Sequence, residues 1–189
     1  MDISSLMTTL LSDDTVKNLS KKSGASTADV KKVLASALPS LLNGANQQAQ
    51  NKKTSDGFAG ALLQHAKNDT SSLGSFLDKV DLDDGAKIIG HLLGSDVAAT
   101  QKAVSKKSGV DAKTTAKILA MAAPLLMSLL GKQAEEDDKK DDVGGLMGAL
   151  LGNSNIGSLA ASLLGGSGSG KKDDGIDLGD IASLLGKLL

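Results

Sequence analysis

Leu19-Ser-Lys-Lys-Ser-Gly24 returns 85 residues later as Val104-Ser-Lys-Lys-Ser-Gly109, and the likeness continues on the C-terminal side of each copy. With Val16 to Leu42 laid over Gln101 to Met127, identities fall at Lys17/Lys102, Lys32/Lys117, Leu34/Leu119, Ala35/Ala120, Ala37/Ala122, Pro39/Pro124 and Leu41/Leu126 as well as through the polar motif itself. A match that runs from a polar turn into an apolar segment predicts a duplicated structural unit. Each unit reads as helix, glycine turn, longer helix, over about 13–44 and 96–131. Gly24 and Gly109 are the helix stops, because glycine takes the left-handed conformation that closes a helix without steric cost.

The apolar period supports this. Val30, Val33, Leu34, Ala37, Leu38, Leu41 and Leu42 recur at helical spacing, as do Ile118, Leu119, Ala122, Leu125, Leu126, Leu129 and Leu130. Val33, Leu34, Leu38, Leu41, Ile118, Leu119 and Leu126 are the candidate core. Pro39 and Pro124 sit inside these stripes, where each removes one backbone hydrogen bond and predicts a bend. Asn43-Gly44 reads as the end of the first long helix, and Asn46 to Asp56, with no apolar period, as a polar connector.

Shorter amphipathic stretches fill the rest. Ile3 to Leu11 reads as a first helix. Gly57 to Lys67, Ser71 to Val80 and Ala86 to Leu93 read as short helices between the copies. The fold class is therefore all-α, with two homologous helical hairpins in one compact domain over residues 1–133. Glu135 to Asp142 is a run of charge that cannot bury enough surface to order itself, so residues 134–142 read as an acidic hinge. Residues 143–189 form a glycine-rich amphipathic tail of short weak helices, in which Ile181, Leu184, Leu185 and Leu188 share a face.

Composition narrows the function classes. The 189 residues include two aromatics, Phe58 and Phe76, and no cysteine, so the core is aliphatic and no disulfide framework or thiolate metal site exists. Met1 to Leu6 lacks the basic and apolar regions of a secretory signal, which makes the cytoplasm the expected compartment. The net charge is -1, every basic residue is lysine, and arginine, the residue suited to bidentate base reading, is absent.

Helix, glycine turn, helix is also the geometry of a helix-turn-helix. Lys21, Lys22, Lys31 and Lys32 in one copy and Lys106, Lys107, Lys113 and Lys117 in the other are the candidate DNA contacts, suited to non-specific phosphate binding. A plain helical hairpin with a solvated lysine rim is the simpler reading. The hairpin resembles the N-terminal helix pair of histone-like HU proteins, which implies packing of two such pairs into a common core, with each long helix burying the other.

Other constellations fail on spacing. His65 and His91 stand 26 residues apart with no third ligand in metal-site register. Asp81-Leu-Asp-Asp-Gly85 puts its glycine one place early for a calcium loop, and Leu92 stands where the glutamate belongs. Gly168-Ser-Gly-Lys171 is followed by Lys172, not by the hydroxyl of a phosphate loop. No catalytic residue, cofactor or metal site emerges, and no small-molecule substrate. The expectation is a non-enzymatic interaction or assembly module working through exposed aliphatic helix faces, with a protein partner or self-association. Non-specific nucleic-acid association through the lysines is the alternative. A third is membrane-surface contact through the tail, where Gly144, Gly148 and Gly152 have the spacing of close helix packing.

The Ser-Gly turns, the Ala-x-x-x-Pro helix ends and Gly90-His-Leu-Leu-Gly94 together make the chain similar to the YidB-like family of bacterial domains of unknown function, across roughly Met1 to Gly131. That resemblance implies an all-helical, homeodomain-like fold and carries no catalytic residues.

Overall fold

One helix has no solvent side through its central 118–131 stretch. In the computed structural model, which describes residues 3–136 and 142–152, every residue from Ile118 to Gly131 is buried. That stretch is apolar around its whole circumference, and such a helix satisfies itself only as the axis of a core. It belongs to α8 (Ala112–Glu136), the last of a series: α1 (Ile3–Leu10), α2 (Asp13–Ser23), α3 (Thr27–Gln50), α4 (Ser55–Ala66), α5 (Leu73–Asp78), α6 (Leu82–Leu93) and α7 (Val97–Ser108) precede it. A 3-10 turn over Gly94–Asp96 links α6 to α7, and α9 (Val143–Gly152) follows. The described residues are all-helical and contain no β-strand.

The helices start where side-chain oxygens meet free N–H groups. Ser12 accepts from the Thr15 N–H, Ser26 from Asp29, Asp81 from Asp83 and Asp111 from Thr114, at 3.3, 3.1, 2.8 and 3.0 Å. Val33, Leu34, Leu38 and Leu41 of α3 and Ile118, Leu119 and Leu126 of α8 lie in one hydrophobic cluster with Leu6, Leu10 and Leu19. α8 is covered chiefly by α4 and α6, while α3 packs chiefly on α7. The two long helices do touch, but each buries itself mainly against other partners, so the expected mutual burial of α3 and α8 is corrected to a shared core.

Close crossings explain how α8 can be wrapped so tightly. A Cβ on Gly85 of α6 would collide with the carbonyl oxygen of Ala120 in α8, and Gly131 of α8 lies equally close to the Leu62 carbonyl of α4. The Ala120 carbonyl is the one that Pro124, having no N–H, leaves without its helical donor. α6 therefore reaches α8 at the point where the proline has released a backbone oxygen. α3 and α8 both continue through their prolines. One turn past Pro124, the Ser128 hydroxyl donates to the Pro124 carbonyl (2.8 Å) and accepts from the Asn68 amide (3.0 Å), tying α8 to the residues after α4.

Two helix ends differ from the sequence reading, and the first block after the acidic run forms a helix as expected and packs on the domain. α3 does not stop at Asn43-Gly44 but runs to Gln50, burying Gly44, Ala45 and Ala49. Its inward stripe changes there from leucine to glycine and alanine, because Gly44 meets the Leu92 backbone of α6 and Ala49 meets Gly144 of α9. α8 runs past residue 133 to Glu136 with Gln133 and Ala134 buried. The first tail block is helix α9, whose Val143, Leu146 and Met147 are buried against α3 and α4. Most of the acidic hinge and residues 153–189, with Ile181 to Leu188, lie outside the described residues.

Candidate functional site: two lysine-bearing turns and a histidine-lined groove

The two Ser-Lys-Lys-Ser-Gly segments close their turns with the same hydrogen bonds. Gly24 (φ +81°) and Gly109 (φ +75°) occupy the left-handed region. Their N–H groups donate to the carbonyls of Ser20 and Ser105, both at 2.9 Å. The Ser20 and Ser105 hydroxyls donate across the turn to the carbonyls of Ala25 and Val110, at 2.6 and 2.5 Å. Ser23 and Ser108 accept from the N–H groups of the same two residues, at 3.2 and 3.3 Å. The serines and the glycine form the turn; the lysines take no part in it.

Those lysines have different surroundings in the two segments. In the first hairpin Lys22 donates to the Leu77 carbonyl (2.7 Å) and pairs with Asp78 (3.1 Å). Lys31 pairs with Asp13 at 2.9 Å, and that hydrogen bond and charge hold the Asp13 carboxyl below the usual carboxylate range. Lys32 stands 4.0 Å from Asp29, and Lys21 is exposed. In the second hairpin Lys106, Lys107 and Lys113 are exposed and Lys117 is half-buried. None of the four forms an ion pair among the described residues.

Among the described residues no helix presents an exposed aliphatic face: Leu82, at 39 % exposure, is the one exposed large hydrophobic. Apolar surface is instead gathered in a groove of about 400 Å³, lined by Phe58 and Ala61 of α4, Ile88 and Leu92 of α6 and Met127 of α8. Gln48, Lys53, Thr54, His65 and His91 form its polar rim. Both histidines, set aside on their sequence separation, thus meet one groove. The signal was in the helical phase: Phe58, Ala61 and His65 repeat at i, i+3 and i+7, and Ile88, His91 and Leu92 at i, i+3 and i+4, so each histidine rides on an apolar stripe.

His65 also borders a second, more polar depression of about 700 Å³ with Asn68, Asp84, Lys87 and Pro124. Its Nδ1 lies 3.3 Å from the Asn68 amide nitrogen, so an unprotonated Nδ1 accepts from the amide that also serves Ser128. Burial pushes the His65 pKa down, against an opposing pull from the Asp84 carboxylate. At neutral pH the imidazole is uncharged, a hydrogen-bonding rim to an apolar trough. No group of three or more metal-ligating side chains occurs among the described residues. α8 is long and apolar enough to cross a membrane, but 83 % of its most apolar window is buried within the protein.

Comparison with known proteins places the chain without assigning it a reaction. No curated protein and no solved structure matches it. The sequence profile of one family matches residues 5–133, from α1 almost to the end of α8, and that span includes both turns and the groove. The chain belongs to the family described as bacterial protein of unknown function, DUF937.

Proposed function

We propose that the domain is a non-enzymatic interaction module whose groove receives the chain's own C-terminal aliphatic segment, Ile176 to Leu189, from the same or a second copy. The docking of α9 carries this reading. That helix comes from the same glycine-rich stretch of sequence, and it already lays Val143, Leu146 and Met147 against α3 and α4, two helices that also contribute to the groove. The later segment carries Ile181, Leu184, Leu185 and Leu188 at helical spacing, and because glycine costs a helix about 1 kcal/mol per residue relative to alanine, burial of that stripe against a surface is what would favour it. Met127 lends the groove an adaptable wall, and Lys53 on the rim suits Asp177 and Asp180 of the segment. Residues 153–175, extended, reach up to roughly 80 Å, several helix diameters.

His65 and His91 are the chain's two histidines and both touch the groove, so their imidazole NMR signals report on it directly. In the full chain, Leu184→Asp with Leu188→Asp should shift both signals. A concentration-dependent mass in sedimentation, lost in the same variant, identifies docking between copies. Imidazole signals identical in the two proteins, with a monomeric mass throughout, defeat the reading.

A second reading is non-specific nucleic-acid association, favoured by the exposure of Lys21, Lys106, Lys107 and Lys113 beside the two turns. Duplex binding that weakens steeply with salt and vanishes when Lys21, Lys22, Lys106 and Lys107 become glutamate supports it. The narrower assignment to the YidB-like group rests on the Ser-Gly turns and Gly90-His-Leu-Leu-Gly94. The homeodomain-like description rests on the helix, turn, helix order of each copy.

A further inference from the structure

The two hairpins have the same turn and the same number of lysines but not the same acids. Residues 12–32 hold Lys17, Lys21, Lys22, Lys31 and Lys32 with three aspartates, Asp13, Asp14 and Asp29. Residues 97–117 hold Lys102, Lys106, Lys107, Lys113 and Lys117 with one, Asp111. At the places of the three acids the second copy has Ala98, Ala99 and Thr114. Ion pairs follow the acids: Asp13 and Asp29 take Lys31 and Lys32, and Asp78 of α5 takes Lys22, whereas the second copy's lysines have no carboxylate partner among the described residues.

We infer that the second hairpin, α7 with the first two turns of α8, is a binding face for the phosphate backbone of a duplex nucleic acid, and that the first hairpin is not. The inference rests on the nucleic-acid reading and assigns its surface. Lys102 and Lys106 are one helical turn apart, as are Lys113 and Lys117, and Lys106, Lys107 and Lys113 lie within four residues of Gly109. Lysines at a helix C-terminus also answer the helix dipole, but α2 and α7 share that feature, so it does not account for the difference between them. Lys107 lines a shallow cleft between α7 and α3 with Ser36, Ser40 and Thr100, with Asp96 as its one acid. The buried Ser36 hydroxyl there has no hydrogen-bond partner among the described residues.

The same surface disfavours other polyanions. Phe58 and Phe76 are buried, so no aromatic platform offers to stack the bases of a single strand. Without arginine there is no bidentate reading of base edges, which leaves backbone contact. Leu82, the exposed large hydrophobic of the described residues, belongs to α6, so the hairpin has no apolar wedge for a lipid surface.

The test compares the full chain with two variants, using fluorescence anisotropy on a mixed-sequence duplex over a salt series. Ala98→Asp, Ala99→Asp and Thr114→Asp together import the first hairpin's acids without removing a lysine. They should weaken binding at least tenfold, with an unchanged far-ultraviolet circular dichroism spectrum and melting midpoint. Lys17→Glu with Lys21→Glu in the first hairpin should change it less than twofold. The full chain's log K should fall with log salt at a slope no steeper than about -4.5, the value for five phosphate contacts. Should the acid-importing variant destabilise the hairpin, Lys106→Ser with Lys113→Ser must still weaken binding and flatten that slope by about two contacts. Equal losses from both hairpins overturn the inference and leave the nucleic-acid reading standing. No salt-dependent duplex binding by the full chain overturns both, as does retention on anionic vesicles without retention on the duplex.

Discussion

The first hairpin closes with the same serine and glycine hydrogen bonds as the second, yet its long helix keeps a wet side and the other does not. α3 exposes Lys31, Lys32, Asn43, Gln47 and Gln50, while α8 exposes nothing between Ile118 and Gly131. The turn is therefore a local device, decided within about ten residues. Burial of the helix that follows is a tertiary outcome, decided by whether apolar residues occupy one stripe or the whole circumference. α4 and α6 pack far more on α8 than on α3, which makes α8 the axis and α3 a wall.

Leu119→Asp should have the largest effect of any single change. Leu119 is fully buried, and an unpaired carboxylate there costs several kcal/mol against a total stability of roughly 5–15 kcal/mol for a domain. The variant should lose its cooperative urea transition. Because α8 touches α1, α2, α3, α4, α6 and α7, hydrogen exchange should show the amides of α2 and α3 losing protection together with those of α8. Leu34→Asp should do the same from the other side. Protection retained in either hairpin would mean two independent units, and the wall and axis would have to be separated.

Gly85→Ala is next. Its methyl group would strike the Ala120 carbonyl, a backbone atom that cannot rotate aside, so a loss of at least about 1–3 kcal/mol in chemical denaturation is expected. Gly44→Ala puts the same load on α3 against the Leu92 carbonyl. Gly60→Ala in α4 meets open space and should gain up to about 1 kcal/mol from helix propensity. A similar penalty at Gly44 and Gly85 would show that the wall is clamped as firmly as the axis.

Gly24→Ala and Gly109→Ala separate the local device from its surroundings. A methyl group has free space at both positions, and the cost is that of placing an L-residue in the left-handed region, about 1–2 kcal/mol. If the turn is local, the two losses are equal within error. A markedly larger loss at Gly109 would mean that burial of α8 has tightened its own turn.

Much of this was legible in the residues. Ser-Lys-Lys-Ser-Gly marked both turns, because left-handed glycine and serine side chains act over a few bonds. Leu34, Leu38, Ile118 and Leu119 marked inward faces by period alone. The continuation of α3 past Gly44 was not legible: glycine and alanine carry little hydrophobic signal, and they face inward there because α6 and α9 come close, which only the assembled fold determines. The groove was missed for a related reason. Each of its stripes is visible on its own helix, but their meeting depends on α4 and α6 sharing α8. The divergence in charge between the hairpins lay in plain view at Asp13, Asp14 and Asp29 against Ala98, Ala99 and Thr114, and counting lysines alone concealed it.

His65 gives the smallest effect and asks whether the cover of α8 loosens before α3 does. Burial lowers the folded pKa below the unfolded value of about 6.5, more than Asp84 raises it. As pH falls below that value the unfolded chain takes a proton that the folded one resists, so stability is intact above about pH 6.5 and declines beneath it until the folded imidazole titrates. Protonation also sets an Nδ1 proton against the Asn68 amide, which links α4 to Ser128 of α8. The carboxylates of Asp13, Asp69 and Asp111, all lowered by hydrogen bonds, hold their contribution until the pH falls through the range below 3.8, so their losses come in a separate window. Urea midpoints should therefore hold above about pH 6.5 and fall from there to about pH 5.5, and His65→Gln should flatten that slope. Exchange of α8 amides should accelerate over the same interval ahead of those in α3; simultaneous acceleration would mean that axis and wall open as one body.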